Sequence, residues 1–531
     1  MGKLTMRYTL KALLLSGLTI FTAGFLLAGA VQAQEVTIAL PPGELGATTY
    51  NPVTASNLNS AASLIYDRLV EQDADQSFHP HLATSWTESP DGMTWTFKLH
   101  PGVQFQDGTP FNAKAVAEWI PDFAGTSNSY LTAAIDRVEV VDNLTVVFHM
   151  KHPDPNLLFN LSSVFMGVPS PTAYTKLGAD YGVKGAVGTG PFKLKKFDVG
   201  LDTVLVRNDD YAWASDLSVN QGPAHLAKVT FREIPNQSTA FLDLKTGSVD
   251  MLMGVPTDFL SLLAAEPKIK VIQMPGTGID YMPINVTSAP FDDIRVREAT
   301  VLAINQDAIV KSVYNGVGMA AHNFLISSLP ASKVDPKLDD SYDPAKAAHL
   351  LDEAGWKMGP NGIREKNGKP MTVKLYTQNG TEFTNLTQVI QAQLKAIGMD
   401  AKITVFDSST IRDEYKKGTQ QLAVRGYDWN NADILDWFFN GDSLGYPNVS
   451  MWNDPKGQAL DKVAMAESKT SKERSDNFKA FHEYILSQYV FAPIYQPTIN
   501  IAYNSNKITV SAAIRGPRFR SQSVVDMDVV K

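Results

Sequence analysis

The sequence contains no cysteine. This excludes disulfide staples, thiol nucleophiles, cysteine-ligated zinc, iron–sulfur clusters and a lipid-modified N-terminal cysteine. Histidine is sparse, nine in 531 residues. His79-Pro80-His81 is the one close pair, and its proline splays the two rings. His482-Glu483 opens like a zincin motif, but Leu486 stands where the second histidine belongs. This ligand supply argues against a metal centre built by the protein alone, and no cofactor is expected. Positive charge is also short, with 47 Lys and Arg against 55 Asp and Glu and a formal net charge of −8. An acidic chain has no electrostatic footprint for nucleic acid and is disfavoured on anionic lipid. No set of nucleophile, base and oxyanion donors is legible, so no enzymatic activity is expected and a secreted hydrolase is the weaker alternative.

Long apolar runs are missing beyond the first 33 residues. There, Lys3, Arg7 and Lys11 precede the uncharged stretch 12–30, and Val31-Gln32-Ala33 supplies small side chains at the positions a signal peptidase reads. The stretch is long enough to span a membrane. Ser16, Gly17, Thr19, Thr22 and Gly24 interrupt it, however, and a cleaved secretory signal fits better, with Gln34 as the first mature residue. Removing 1–33 takes away three positive charges and no negative ones, so the net charge moves from −8 to −11. A periplasmic protein without membrane insertion after cleavage is the expectation.

The rest is ordinary globular sequence, 44% hydrophobic and 19% charged, long enough for about three folding units. Val36-Thr37-Ile38-Ala39-Leu40 reads as a strand stopped by Pro41-Pro42. A helix is expected over 60–70. Thr94-Trp95-Thr96-Phe97-Lys98-Leu99 alternates with period two, and Asp142-Asn143 sits between two β-branched runs as a hairpin turn. From about residue 187 short strands alternate with helices. Helices are expected over 238–246, ended by Gly247, over 294–315, ended by Gly316, over 344–354 behind an Asp343 cap, and over 384–397, ended by Gly398. Strands alternating with helices argue for parallel α/β sheets. The glycine-rich run 185–191 lacks the lysine of a phosphate loop and reads as a tight turn.

Aromatic residues are plentiful, with eight Trp, 18 Tyr and 25 Phe. Tyr427, Trp429, Trp437, Phe438 and Phe439 crowd one stretch, threaded by Asp428, Asn430, Asn431, Asp433 and Asp436. Phe438 and Phe439 read as core. Two adjacent asparagines suit neither a helix nor a strand interior, and polar groups beside a tryptophan suit a concave ligand site. Pocket and core both remain open for Trp429.

Several collinear blocks carry a resemblance. They are 66–70 (YDRLV), 81–86 (HLATSW), 91–99 (DGMTWTFKL), 102–110 (GVQFQDGTP), 188–192 (GTGPF), 247–250 (GSVD), 295–305 and 342–355. Together the chain resembles the extracellular solute-binding proteins of family 5, the peptide- and nickel-binding class serving ABC importers. The resemblance implies an α/β clamp of two lobes with an inserted β-rich subdomain. It divides as 1–33 signal peptide, 34–55 with 187–275 and 496–531 as the first lobe, 56–186 as the insert, and 276–495 as the second lobe. It implies a monomer that captures a small polar solute, peptide-like first and a nickel or metal-chelate ligand as the alternative. The solute passes to a membrane permease. Trp429, Asn430, Asn431, Asp433, Tyr427 and Tyr281 are the expected ligand-binding residues. Peptide binders of the family often place an aspartate where Asn430 stands, and Ile434 replaces their proline. The stretch 156–164 lacks the arginine expected for a chelate.

Overall fold

The computed structural model describes residues 34–338, 342–511, 514 and 520–530. The expected signal 1–33 and its cleavage point, and the Asp339-Asp340 pair, lie outside the described residues. Among those residues no helix is long and apolar enough to cross a membrane.

Three sheets organise the chain. The largest has seven strands in the order Ile269–Pro275, Thr498–Asn504, Met251–Met253, Glu35–Ala39, Lys228–Arg232, Asp202–Arg207 and Phe192–Asp198. Glu35–Ala39 pairs parallel with both neighbours, and its Val36 and Ile38 point into a core with Val229, Phe231 and Ile501. The second sheet has six strands in the order Met319–Ala320, Phe491–Gln496, Gly278–Pro283, Leu422–Asp428, Thr372–Gln378 and Asp400–Phe406. Thr372–Gln378 and Asp400–Phe406 are parallel and joined by the helix Thr381–Ala396, a crossover unit. The third sheet has four antiparallel strands drawn from 83–150, on which Trp95, Phe97 and Phe148 form a buried aromatic layer.

Two connections run between the larger sheets. Gly276 and Thr277 link Ile269–Pro275 to Gly278–Pro283, and Pro497 links Phe491–Gln496 to Thr498–Asn504. The two cross side by side. Gly276 N–H donates to the Pro497 carbonyl at 2.7 Å, and the Gln496 side chain donates to the Gly276 carbonyl at 2.9 Å. A Cβ on Gly276 would lie 2.8 Å from the Pro497 oxygen, so glycine alone fits this crossing.

Local signals act as their chemistry dictates. Asp343 caps Pro344–Glu353 through the Lys346 N–H, and Gly247 takes φ 85° after Gln237–Thr246. The helix expected over 294–315 is two helices, Ile294–Leu302 and Gln306–Val313. Asn305 breaks it by accepting from the Ala308 N–H at 2.8 Å. The helix expected over 60–70 is only Ala62–Ile65, because Tyr66 turns extended and Asp67 and Arg68 are drawn into a buried polar cluster. The run 185–191 packs on that short helix. A Cβ on Gly188 or Gly190 would sit 2.3 or 2.4 Å from the Ile65 or Leu64 carbonyl.

Candidate functional site

The strand Leu422–Asp428 delivers its C-terminal end beside the crossing, where the Trp429 N–H donates to the Thr277 carbonyl at 2.9 Å. The next residues make a closed polar ring. Asn431 accepts from the Asp433 N–H at 3.1 Å and starts the helix Ile434–Phe439. Asp433 accepts from Trp429 Nε1 at 2.7 Å and from Asn156 Nδ2 at 3.0 Å, and Asn156 in turn accepts from Asn431 at 2.8 Å. Asn430 donates to Gln72 at 3.1 Å. The ring of Trp429 stacks on Trp437 at 5.3 Å and receives the edge of Phe159 at 5.9 Å. Residues about 270 positions apart in sequence are thus hydrogen-bonded across the gap between the second sheet's loop and the segment 154–165.

Trp429, Asn430, Asp433, Asn156 and Phe159 line a partly open cavity of about 850 Å³, with other residues of the segments 63–72, 130–165, 429–437 and 520–522. Two charged clusters line it. One holds Asp154 and Asp433, with Arg474 3.9 Å from Asp433. Burial pushes both carboxyls above the usual range, and Arg474 and nearby donors pull back. In the other, Arg68 and Arg520 share one carboxylate, Glu71, at 3.8 and 3.0 Å. Burial alone would raise Glu71, but Arg520, His81 and Arg68 hold it below its ordinary value. The Nε atoms of Arg68 and Arg520 are buried and make no hydrogen bond. Aromatic rings and neutral polar groups, Phe159, Phe165, Asn160, Ser162 and Ser163 among them, line the space between.

Residues 77–444 match the bacterial extracellular solute-binding proteins, family 5 Middle. The chain belongs to this family. It is 30% identical over 435 residues to the nickel-binding periplasmic protein of Escherichia coli, covering 78% of each chain. It is 29% identical over 494 residues to the glutathione-binding protein GsiB of Salmonella paratyphi A, covering 90% of this chain and 92% of that one. Among solved structures, the ABC transporter substrate-binding protein CtaP of Listeria monocytogenes superposes with a TM-score of 0.78 at 21% identity, over 94% of this chain and all of that one. The two-lobed fold expected from the sequence is the fold of these structures.

In this solute-binding protein the cavity gathers Trp429, Asn430 and Asp433 of the residues expected from sequence. Asn431 stands one layer behind, bonded to Asn156. Tyr427 and Tyr281 are placed elsewhere. Tyr427 donates its hydroxyl to the Phe324 carbonyl, and Tyr281 is 1% exposed among Phe324, Phe438 and Phe491. Tyr281 is an aromatic core residue and does not line this cavity. Asp154, Asn156, Arg68 and Arg520 were not singled out as ligand residues from sequence. Arg68 lies inside a family block that reads as scaffold, and Arg520 comes from the far end of the chain. The arginines of the cavity thus come from outside the stretch 156–164. Arg295 and Arg297 pack structurally, the first on Asp293 and the second on the carbonyls of Gln488 and Phe291.

One further string, Gly441-Asp442-Ser443-Leu444-Gly445, has the pattern of a serine nucleophile turn. Gly441–Ser443 is a 3-10 turn that follows the helix Ile434–Phe439. It lacks the strand-to-helix bend that exposes such a serine.

Proposed function

We propose that this periplasmic solute-binding protein captures a small zwitterionic, peptide-like solute between its two lobes. It then presents the solute, as a monomer, to the membrane permease of an ABC importer. The proposed division is the one the resemblance implies, with 34–55, 187–275 and 496–531 in the first lobe, 56–186 as the insert and 276–495 in the second lobe. One observation carries the reading: the wall of the cleft carries a carboxylate pair, Asp154 and Asp433, and a separate arginine pair, Arg68 and Arg520. An ammonium fits beside Asp433 and Asp154, and a carboxylate fits beside Arg68 and Arg520. The aromatic wall of Trp429 and Phe159 covers the apolar part between them. A volume of about 850 Å³ lies in the range of small-molecule sites. Capture without turnover agrees with the family.

Native mass spectrometry of protein purified from its own periplasm tests this, followed by titration of the recovered solute. A co-purifying compound with both an amine and a carboxylate is the expected result. A neutral sugar or a cation without a carboxylate would overturn the reading. A metal chelate held by carboxylates would engage Arg68 and Arg520 but be indifferent to Asp433→Asn.

A further inference from the structure

Behind the Trp429–Trp437 pair the second lobe holds a smaller cavity of about 160 Å³ that shares no lining residue with the interlobe one. Gln378, Arg412, Tyr415, Arg425 and Tyr446 supply its polar wall, and no carboxylate lines it. The fold brings them together simply. Arg412 and Tyr415 are three residues apart on the helix Ser408–Lys416 and so share a face, and Arg425 projects from the adjacent strand Leu422–Asp428.

The arginines are unusual. The Arg425 guanidinium stands 4.8 Å from the Phe438 ring centre, 5.3 Å from Tyr446, 5.8 Å from Tyr415 and 5.9 Å from Tyr281. Its hydrogen bond is to the Pro447 carbonyl at 3.3 Å, and among the described residues it has no ion pair. Arg412 also lies 5.3 Å from the Tyr446 ring centre. Stacking occupies the faces of a guanidinium and leaves its N–H edge available. The Tyr415 hydroxyl points into the same wall. Its residue is 2% exposed and the hydroxyl makes no hydrogen bond. Burial holds it in the protonated, donating form. The acids of the helix Ser408–Lys416 and its cap are already engaged, and Glu382, next to the lining Phe383, faces Asp280. Asp413 pairs with Lys416, Glu414 with Lys417, and Asp407 accepts from Ser409 and Thr410. Asp280, on the facing strand, accepts from Tyr314 at 3.0 Å.

Two guanidinium edges and an unmet hydroxyl donor, in a cavity of this size with no carboxylate in its lining, are the donor set of a small anion. We propose that Arg412, Tyr415 and Arg425 form a binding site for a tetrahedral oxyanion, phosphate or sulfate, in the second lobe and separate from the solute cavity. The site stands next to the solute cavity's wall. Arg425 and Tyr446 also line a pocket of about 620 Å³ together with Trp429, Trp437, Asp428 and Asp436.

Calorimetric titration of the full mature chain with sodium phosphate and sodium sulfate, against sodium chloride at matched ionic strength, tests the site. Saturable one-to-one binding is expected. Tyr415→Phe and Arg412→Gln should each weaken it about tenfold, the effect of losing one hydrogen bond to a charged group. Asp433→Asn should leave it unchanged. Tyr415→Phe discards a hydroxyl without a partner, so its melting temperature in chloride should match or exceed that of the wild type. This keeps folding and binding apart. Sulfate stabilises proteins generally by exclusion from their surfaces, so equal stabilisation of wild type and both variants would overturn the proposal. Absence of saturable binding to either ion in the wild type would overturn it as well.

Discussion

Trp429 is held before any solute arrives. Its indole N–H is tied to Asp433 and its face rests on Trp437, so the ring edge offered to the cavity costs little further ordering. Trp429→Ala is expected to weaken solute binding about thirtyfold, the scale of an aromatic hot spot, with a modest fall in melting temperature. Titration and thermal melts on the same variant decide the matter. Collapse of the melting temperature with unchanged affinity in the folded fraction returns the residue to the core. Asp433→Asn keeps the shape and removes the charge, so it should penalise a solute bearing an ammonium and spare its acylated analogue. Trp429, Asn430 and Asp433 are legible in the sequence because polar amides beside a tryptophan fit no regular element. Arg68, Arg520 and Asp154 are not, because their meaning depends on which distant segment each one faces. Tyr281 misleads for the converse reason: its strand is buried on both faces, and pattern alone gives no direction to its ring.

At the scale of elements, the paired crossing beside Gly276 and Pro497 is where a hinge must turn. A methyl group on Gly276 meets the Pro497 oxygen at 2.8 Å, so Gly276→Ala must push the two connecting strands apart. The closed form is then disfavoured, and the measured affinity falls with the population of the closed state. Solution scattering should report a larger radius of gyration for this variant with solute present, while its secondary structure stays as in wild type. An unchanged radius and affinity would place the hinge elsewhere. Caps and strand alternation were readable from sequence, since Gly247 and Asp343 act locally. The break at Asn305 was not. Apolar spacing continues through it, and only the side-chain bond to Ala308 shows that the backbone stops there.

For the whole molecule, one buried histidine sets an acid limit. His482 donates from Nδ1 to the Ala331 carbonyl and accepts at Nε2 from the Phe324 N–H, an arrangement that only the neutral ring satisfies. Burial lowers its pKa from 6.5 to about 4. The unfolded chain therefore takes a proton that the folded one refuses. Stability from this group is intact above pH 6.5 and is lost as pH falls toward 4, by about 3 kcal/mol in all. Asp154 and Asp433, whose pKa values burial raises, work in the opposite direction. Comparison with His482→Gln isolates the histidine, because glutamine can copy one donor and one acceptor. The variant's stability should depend on pH less steeply by about one proton across that window. Identical slopes would show that His482 titrates normally. The two-lobed architecture itself was readable from sequence through collinear blocks spread along the chain, whereas the lobe contacts that close the cavity were not.

The position of Thr498–Asn504 inside the seven-stranded sheet bears on the order in which the molecule can assemble. That strand is the partner of both Met251–Met253 and Ile269–Pro275, and Ile269–Pro275 has no other neighbour in the sheet. A chain threaded through a secretion channel from its N-terminus therefore cannot finish the first lobe until nearly all of it has emerged. The second lobe's sheet is complete once Gln496 has crossed. A product ending at Gln496 should show protease cuts concentrated in 251–275, whose strands lose Thr498–Asn504 as partner, while 276–496 resists. In the full chain both regions should resist. This late closure suits a secreted protein, since neither large sheet can be completed before the chain is nearly through the channel.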